Sequence, residues 1–197
     1  MNETLPPAVA AWQARVAAFD GCGLKQYATQ PVYGDGNVRA KIVLIGEAPG
    51  AEEDKQGKPF VGRSGQLLDK LLAEVGLSRA TNMYITNTTW WRPPANRTPT
   101  PAELAACRPL LLNLLEILQP GLLVAVGNTA SKTLLQTKVG IMQLHGQWQP
   151  FAAGQGRVLP LLPVFHPAYL LRNPPATPTM RADLQVLRAK AQDLNLI

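Results

Sequence analysis

Cysteine and histidine are scarce in this sequence, which contains two of each among its 197 residues. Long apolar runs are absent, because no hydrophobic stretch reaches the length that a membrane-spanning helix requires. The N-terminus also lacks a basic segment followed by an apolar core, which is the pattern of a signal peptide. We therefore expect a cytoplasmic protein that has no membrane partner.

Acidic residues are fewer than basic ones, at 13 against 19, so the net charge is +6. An excess of this size is compatible with a polyanionic partner but does not require one. Glu47, Glu52, Glu53 and Asp54 fall in one short segment that we expect to be a loop, and basic residues cluster in other loops. The charge pattern alone leaves open the alternative of a solvated surface without a partner.

Apolar runs alternate with amphipathic segments along the chain, and this alternation predicts an α/β domain. Short apolar runs predict buried, parallel strands at residues 41–45, 83–86, 122–126 and 158–165. Apolar residues at helical spacing predict helices at residues 7–19, 64–75, 101–118, 129–135 and 180–194. We predict a single domain over residues 1–197, built as a three-layer αβα sandwich with a mainly parallel, four-stranded central sheet.

Polar residues follow three of these strands. Gly46 and Glu47 come after the first strand, Asn87 after the second and His166 after the last. Ligands of parallel sheets bind at the carboxyl ends of the strands, so this convergence predicts a site. Taken singly, each residue has an ordinary structural explanation, and His145 is assigned to a structural role. The glycine-rich segment at residues 46–65 matches neither the Walker motif nor the dinucleotide fingerprint.

Five segments of the sequence resemble one protein family. GEAPGAEED, GKPFVGRSGQLLD, YITN, RPPANRTPTPAELAACRP and HPAYLLRNP, in this order and spacing, resemble the family 4 (iron–sulfur type) uracil-DNA glycosylases. The resemblance extends from about Cys22 to Leu187. It implies a DNA-repair enzyme that hydrolyses the N-glycosidic bond of uracil in single- or double-stranded DNA and leaves an abasic site. It also implies a monomer, associated with the nucleoid in the bacterial cytosol.

The resemblance implies a uracil pocket made by five positions of this chain. Gly46, Ala48 and Gly50 line the pocket, and Phe60 stacks on the flipped base. Stacking does not depend on the identity of the base, so hydrogen bonds must supply the specificity. Glu53 is expected to help form the wall that excludes a 5-methyl group.

Further positions implied by the resemblance carry the chemistry. Asn87 donates to O4 of uracil and accepts from N3–H, whereas cytosine presents these groups reversed. His166 reaches O2, where negative charge develops as the base departs. Glu47 orients water or stabilises the cationic sugar, and Ala48 occupies the place of the aspartate base of the best-known uracil glycosylases. Glu47 as the base is thus a hypothesis.

A last group of positions is expected to contact the DNA duplex. Leu171 is the candidate wedge that fills the gap left by the flipped base, and Arg172 contacts the backbone nearby. Arg63 and Ser64 are assigned to DNA binding as well. Residues 88–98 contain no insertion and no histidine, which predicts ordinary turnover instead of covalent trapping of the deoxyribose.

The sequence departs from the family at the iron–sulfur cluster, which four cysteines hold in the family. Cys22 and Cys107 match two of these positions, but Phe19 and Trp91 stand at the other two. We predict that the two aromatic side chains form a hydrophobic plug and that no cofactor is bound. A 4Fe-4S cluster with incomplete cysteine ligation, a metal completed by other residues and a Cys22–Cys107 disulfide are the disfavoured alternatives.

Three other functions stay open on the sequence alone. One is a broadened glycosylase that removes further deaminated bases or mismatched thymine. Another is a non-catalytic module that binds damaged DNA in the same pocket, although such a module would not need His166. The third is a binder of small nucleotides or phosphate, which the Leu171–Arg172 wedge and the basic loops disfavour.

Overall fold

A computed structural model of the chain describes residues 5–154 and 156–197. Within these ranges the strands are β1 (Asp35–Gly36), β2 (Ile42–Gly46), β3 (Met83–Asn87), β4 (Leu122–Val126), β5 (Gln149–Gly154) and β6 (Arg157–Val164). The α-helices of the same ranges are α1 (Pro7–Ala18), α2 (Ala51–Gln56), α3 (Arg63–Glu74), α4 (Pro101–Leu118), α5 (Asn128–Leu135), α6 (Ile141–Leu144), α7 (Pro167–Arg172) and α8 (Thr177–Asp193). None of the helices in this part of the chain is both long and apolar enough to cross a membrane.

The described strands form one sheet in the order β1-β3-β2-β4-β6-β5. Its four central strands run parallel, as predicted, and they are the four strands that the apolar runs indicated. The sheet is wider than the four strands expected, because β1 and β5 add antiparallel pairs at its two edges. Neither edge strand has a long apolar run: β1 has two residues, and β5 mixes buried with exposed positions.

Alternate residues of the central strands pack into two separate cores. Val43 and Ile45 belong to the core that contains side chains of α1, α4 and α5. Ile42 and Leu44 belong to the core that contains side chains of α3, α7 and α8. Because successive side chains of a strand point to opposite faces, helices cover both faces of the sheet. This arrangement confirms the three-layer αβα sandwich.

The loop before α4 is tied to that helix by a capping box. The backbone N–H of Glu103 donates to Oγ1 of Thr100, and the backbone N–H of Thr100 donates to Glu103 at 2.7 Å. Arg97 adds a bidentate ion pair with Glu103, whose pKa is lowered to about 2 chiefly by this hydrogen-bonded guanidinium. Arg97 and Thr100 thereby tie the end of this loop to the first turn of α4.

Two segments for which no helix was predicted are helical. Glu52, Glu53 and Asp54 lie in α2, so the prediction of an acidic loop was wrong for these residues. The helix has six residues, too short for a recognisable apolar periodicity. The segment after His166 is also a helix, α7, which ends at Arg172.

Candidate functional site

A cavity of about 710 Å³ opens at the carboxyl ends of the parallel strands, where the sequence predicted a site. Nine of the predicted positions line it: Glu47, Ala48, Gly50, Glu53, Phe60, Ser64, Asn87, His166 and Arg172. The structure therefore brings together residues from three strand ends and from the helices that follow them. Gly46, Arg63 and Leu171 lie next to lining residues in the chain.

Gly46 makes the room in which two of these side chains meet. It is the last residue of β2 and lies opposite Asn87 of β3 in the parallel register. A Cβ atom at position 46 would collide with Oδ1 of Asn87 and would lie 2.6 Å from Cζ of Phe60. The absence of a side chain at this position therefore allows an amide and an aromatic ring to share the floor of the cavity.

Asn87 adds a polar amide to the lining of the cavity. Only 2% of the residue is exposed, yet its side chain makes no hydrogen bond with any residue that the structure describes. The neighbouring strand ends are fixed by Thr88, whose N–H donates to the carbonyl of Gly46 at 2.9 Å and whose hydroxyl donates to the carbonyl of Glu47. A buried amide without a protein partner is available to a ligand that presents one acceptor and one donor.

Phe60 forms an aromatic wall of the cavity. Its backbone has a φ of +53°, which is uncommon for a bulky residue, and 7% of the residue is exposed. A Cβ atom at Gly65 would collide with the carbonyl group of Phe60, so α3 must approach this segment closely. The Phe60 ring lies 5.8 Å from the imidazole of His166, centroid to centroid, at an interplanar angle of 32°.

His166 is the N-cap residue of α7, and this position decides its tautomer. Its Nδ1 accepts a hydrogen bond from the backbone N–H of Ala168 at 3.1 Å, so Nδ1 carries no proton. Burial, together with the nearby Arg172 charge, lowers the pKa of His166 to about 4, and the charge of Glu53 opposes this shift. The imidazole is therefore neutral near pH 7, with a proton on Nε2 that it can donate into the cavity.

We predict that His166 keeps this neutral tautomer from about pH 8 down to about pH 5. Because the unfolded chain binds the proton at the ordinary histidine pKa of about 6.5 and the folded chain only near 4, acid should destabilise the fold as the pH falls from about 6.5 to about 4. Nitrogen NMR shifts of the imidazole, recorded across this range, give the protonation state directly. A titration of His166 near the ordinary value of about 6.5 would contradict the assignment.

The two glutamates of the cavity have different surroundings. Glu47 is half-buried, and its carboxylate makes no hydrogen bond or ion pair within the described ranges. Glu53 instead accepts from the backbone N–H groups of Val61 and Gly62, both at 2.9 Å, and from that of Gly50 at 3.2 Å. Glu47 is thus free to act on a ligand, whereas Glu53 holds the loops that shape the cavity.

The mouth of the cavity presents the residues that were assigned to the DNA duplex. Leu171 lies in α7 with 42% of the residue exposed, beside Arg172 at the cavity lining. Arg63 is exposed at the start of α3, and Ser64 follows it into the cavity.

Sequence reasoning missed part of the cavity rim. The missed lining residues come from the segment before α4, from the start of α5 and from α6, and they include Pro93, Asn96, Arg97, Thr98, Asn128, Thr129, Ile141 and Met142. Asn128 and Thr129 follow the end of β4, so the rule that selected Asn87 and His166 could have found them. Met142, with 64% exposed, lies in a four-residue helix that left no periodic signal.

The positions compared with cluster cysteines meet in the core that contains α1 and α4. Cys22 and Cys107 are buried free thiols, and a hydrogen bond with Cys107 lowers the pKa of Cys22 to about 7. The rings of Phe19 and Trp91 stack with centroids 6.3 Å apart and an interplanar angle of 21°. Across residues 5–154 and 156–197, no group of three or more His, Cys, Asp or Glu could hold a metal ion. These residues do not fit a cluster held by four thiolates.

Comparison with known proteins places the chain in a family. The family model described as the uracil DNA glycosylase superfamily matches residues 33–188. A Type-4 uracil-DNA glycosylase of Thermotoga maritima is 46% identical over 160 residues, covering 81% of each chain. The chain belongs to the Type-4 uracil-DNA glycosylases.

Other members of the superfamily are similar to different extents. The Type-4 uracil-DNA glycosylase of Pyrobaculum aerophilum is 37% identical over 84% of this chain and 85% of its own length. A Type-5 uracil-DNA glycosylase of Thermus thermophilus is 39% identical, but over 52% of this chain and 53% of its own. The match to the Type-4 proteins therefore covers a larger share of the chain than the match to this Type-5 protein.

Proposed function

We propose that this Type-4 protein hydrolyses the N-glycosidic bond of uracil in DNA by flipping the base into the cavity and leaves an abasic site. The observation that supports this most strongly is the buried Asn87, whose amide has no hydrogen-bond partner among the described residues and lies near the ring of Phe60 in the cavity that His166 also lines. An enzyme that acts on a base must take it out of the helical stack and recognise it in such a pocket.

Recognition divides between the ring of Phe60 and the amide of Asn87. Stacking of a base on an aromatic ring contributes on the order of 1–3 kcal/mol for any base. The amide group donates to O4 of uracil and accepts from N3–H. Cytosine in the same place would leave buried groups unpaired, which is the situation that allows strong discrimination.

Bond cleavage is assigned to His166 and Glu47. As the sugar–base bond breaks, negative charge spreads onto O2 of uracil, and the Nε2–H of a neutral His166 stabilises it there. The free carboxylate of Glu47 orients water or stabilises the cationic sugar. Ala48 has no side-chain group that could act as a general base in the place of an aspartate. Cleavage therefore requires that the negative charge on the departing uracil be stabilised by His166.

The mouth of the cavity is assigned to single- or double-stranded DNA. Leu171 fills the space left by the flipped nucleotide, and Arg172, Arg63 and Ser64 contact the backbone. The chain is proposed to act as a monomer. The chain is proposed to work in the bacterial cytoplasm, at the nucleoid. Glu53 stays part of the wall beside the 5-position of the base, although its oxygens hold backbone amides.

An alkali-cleavage assay tests the proposed function. Labelled single- and double-stranded oligonucleotides that contain one uracil are incubated with the chain, treated with alkali and examined for strand breaks. Matched oligonucleotides with thymine or cytosine are the controls, and they should stay intact. Breaks at hypoxanthine or at mismatched thymine would support a broadened glycosylase. Binding without breaks at any base would contradict the enzymatic function and support a damaged-DNA-binding module.

We further infer that aromatic packing takes the place of the iron–sulfur cluster in this member of the family. Phe19 lies just after α1 and Trp91 just after β3, so their stacked rings join the N-terminal segment to the sheet. Trp90 contacts Trp91 edge to face at 6.3 Å and Trp12 at 5.2 Å, which extends the aromatic cluster into α1. Apolar contacts then connect elements that coordination would otherwise connect.

Trp91→Ala is predicted to lower the free energy of unfolding by about 3–5 kcal/mol, because 1% of the residue is exposed and truncation leaves a large cavity. Chemical denaturation measures this change. The matched control is Tyr27→Ala, at an aromatic residue that is 58% exposed, with an expected change of about 0.5 kcal/mol or less. An unmodified protein that is brown and contains stoichiometric iron and sulfide would contradict the packing model.

A further inference from the structure

The conformation of Phe60 raises the question of what holds it. A bulky residue with φ of +53° needs surroundings that fix the backbone on both sides. On the C-terminal side, Glu53 accepts from the N–H groups of Val61 and Gly62. The carbonyl groups of Pro59 and Phe60, which belong to the two peptide units flanking the Cα atom of Phe60, point to one guanidinium group, that of Arg79.

Arg79 binds the two carbonyl groups with separate nitrogen atoms. Its Nη1 donates to the carbonyl of Pro59 at 2.8 Å, and its Nη2 donates to the carbonyl of Phe60 at 2.9 Å. Arg79 precedes β3 in the chain and does not belong to the set of described residues that line the cavity. It can therefore act on a ligand only through the segment that it holds.

Two carboxylates fix the guanidinium in turn. Asp69 of α3 accepts from Nε at 3.1 Å and from Nη2 at 2.9 Å, and Asp35 of β1 accepts from Nη1 at 3.1 Å. The side chain of Arg79 is 16% exposed. Only arginine offers a planar set of five donors that can serve two carboxylates and two carbonyl groups together. These contacts connect Phe60 to α3 and to the edge strand.

We propose that Arg79 is a positioning residue that holds the Phe60 ring against the flipped base. Arg79 orients the carbonyl groups of Pro59 and Phe60. Glu53 orients the N–H groups of Val61 and Gly62. With the backbone held by both side chains, the Phe60 ring keeps a single orientation. The proposal rests on the proposed function, because it assigns the ring to base stacking. Neither the apolar pattern nor a motif of the sequence singles out Arg79.

The proposal predicts a particular kinetic effect. Stacking acts equally on the bound substrate and on the transition state, so its loss raises KM and leaves kcat nearly unchanged. Arg79→Ala is expected to raise KM for uracil-containing DNA roughly tenfold, within the range of one base–aromatic stack. Arg79→Lys should raise it less but measurably, because one ammonium group cannot replace the guanidinium fork.

A double-mutant cycle separates positioning from general destabilisation. In a Phe60→Ala background there is no ring to hold, so Arg79→Lys should change KM by less than about twofold. The control is Arg181→Ala, which breaks an ion pair with Glu74 at the far end of α3. That variant should keep the unmodified KM. Thermal unfolding of each variant identifies any that fail to fold. If Arg79→Ala does not fold, the comparison of Arg79→Lys with and without the Phe60 ring tests the proposal.

Hydrogen exchange gives a readout that does not depend on activity. The amide hydrogens of Val61 and Gly62 should exchange faster in Arg79→Lys than in the unmodified chain, because the hydrogen bonds from residue 79 to the carbonyl groups of Pro59 and Phe60 are weakened. Unchanged KM and unchanged exchange in Arg79→Lys would overturn the proposal, as would an equal rise of KM with and without the Phe60 ring. If the unmodified chain released no uracil, the proposed function would fail, and the exchange rates would still decide whether Arg79 holds this segment.

Discussion

His166→Asn is expected to lower the single-turnover rate of uracil release by about 10²–10³-fold, the effect of removing one preorganised donor from a developing anion. Asparagine is a suitable replacement because His166 is also the N-cap residue of α7, and an asparagine oxygen can accept the N–H of Ala168 in its place. The variant therefore keeps the N-cap hydrogen bond at the start of α7 and removes only the Nε2–H donor, because asparagine is too short to place a donor at that position. Rapid-quench assays under enzyme excess measure the chemical step directly.

The second histidine of the chain provides the control. His145 pairs with Asp183 at 3.0 Å and packs against Phe165, and it is not among the described residues that line the cavity. His145→Asn should leave the rate of uracil release unchanged at a temperature at which the variant is folded. Equal losses in the two variants, or a full rate in His166→Asn, would remove His166 from the proposed mechanism.

The second large effect is expected for Asn87→Leu, which keeps the approximate shape of the side chain and removes its donors and acceptor. The value of kcat/KM for uracil should fall by about 10³-fold or more, because the base would be buried without partners for O4 and N3–H. Excision of cytosine should not fall further, so the discrimination between the two bases should largely disappear. Steady-state assays with matched oligonucleotides measure both values.

An asparagine outside the cavity serves as the reference for this substitution. Asn113 lies on α4, where its Oδ1 accepts from Arg15 at 2.7 Å. Asn113→Leu should leave kcat/KM for uracil within about twofold of the unmodified chain, as expected for a distant surface site. If Asn87→Leu retained its preference for uracil over cytosine, another group would have to read the base edge.

The sequence predicted those parts of the fold and site that depend on continuous local patterns. The parallel strands follow from apolar runs, and the meeting of Asn87 with His166 follows from the rule that parallel strands end at one edge of a sheet. The edge strands β1 and β5 were not predicted, because they are defined by pairing with a neighbouring strand and not by local hydrophobicity. Helix α2 was not predicted because it is short and acidic.

Contacts to backbone groups explain what the sequence could not predict at the site. Glu53 and Arg79 act on N–H and carbonyl groups of the Phe60 segment, and every residue has such groups. The left-handed backbone conformation of Phe60 could not be predicted from the residue type, because phenylalanine rarely adopts it. Gly65 is the nearest indication, since only a glycine permits the approach of α3, but a glycine in a helix has several possible explanations.

The chain combines a cavity proposed to read uracil with an aromatic core at the cluster positions, and one measurement tests both. Uracil release by the purified, unmodified chain is assayed on the same preparation in which iron and acid-labile sulfide are determined. We predict release of uracil from DNA at an iron content far below one cluster per chain. No release, or release that increases in proportion to iron content across preparations, would contradict the account.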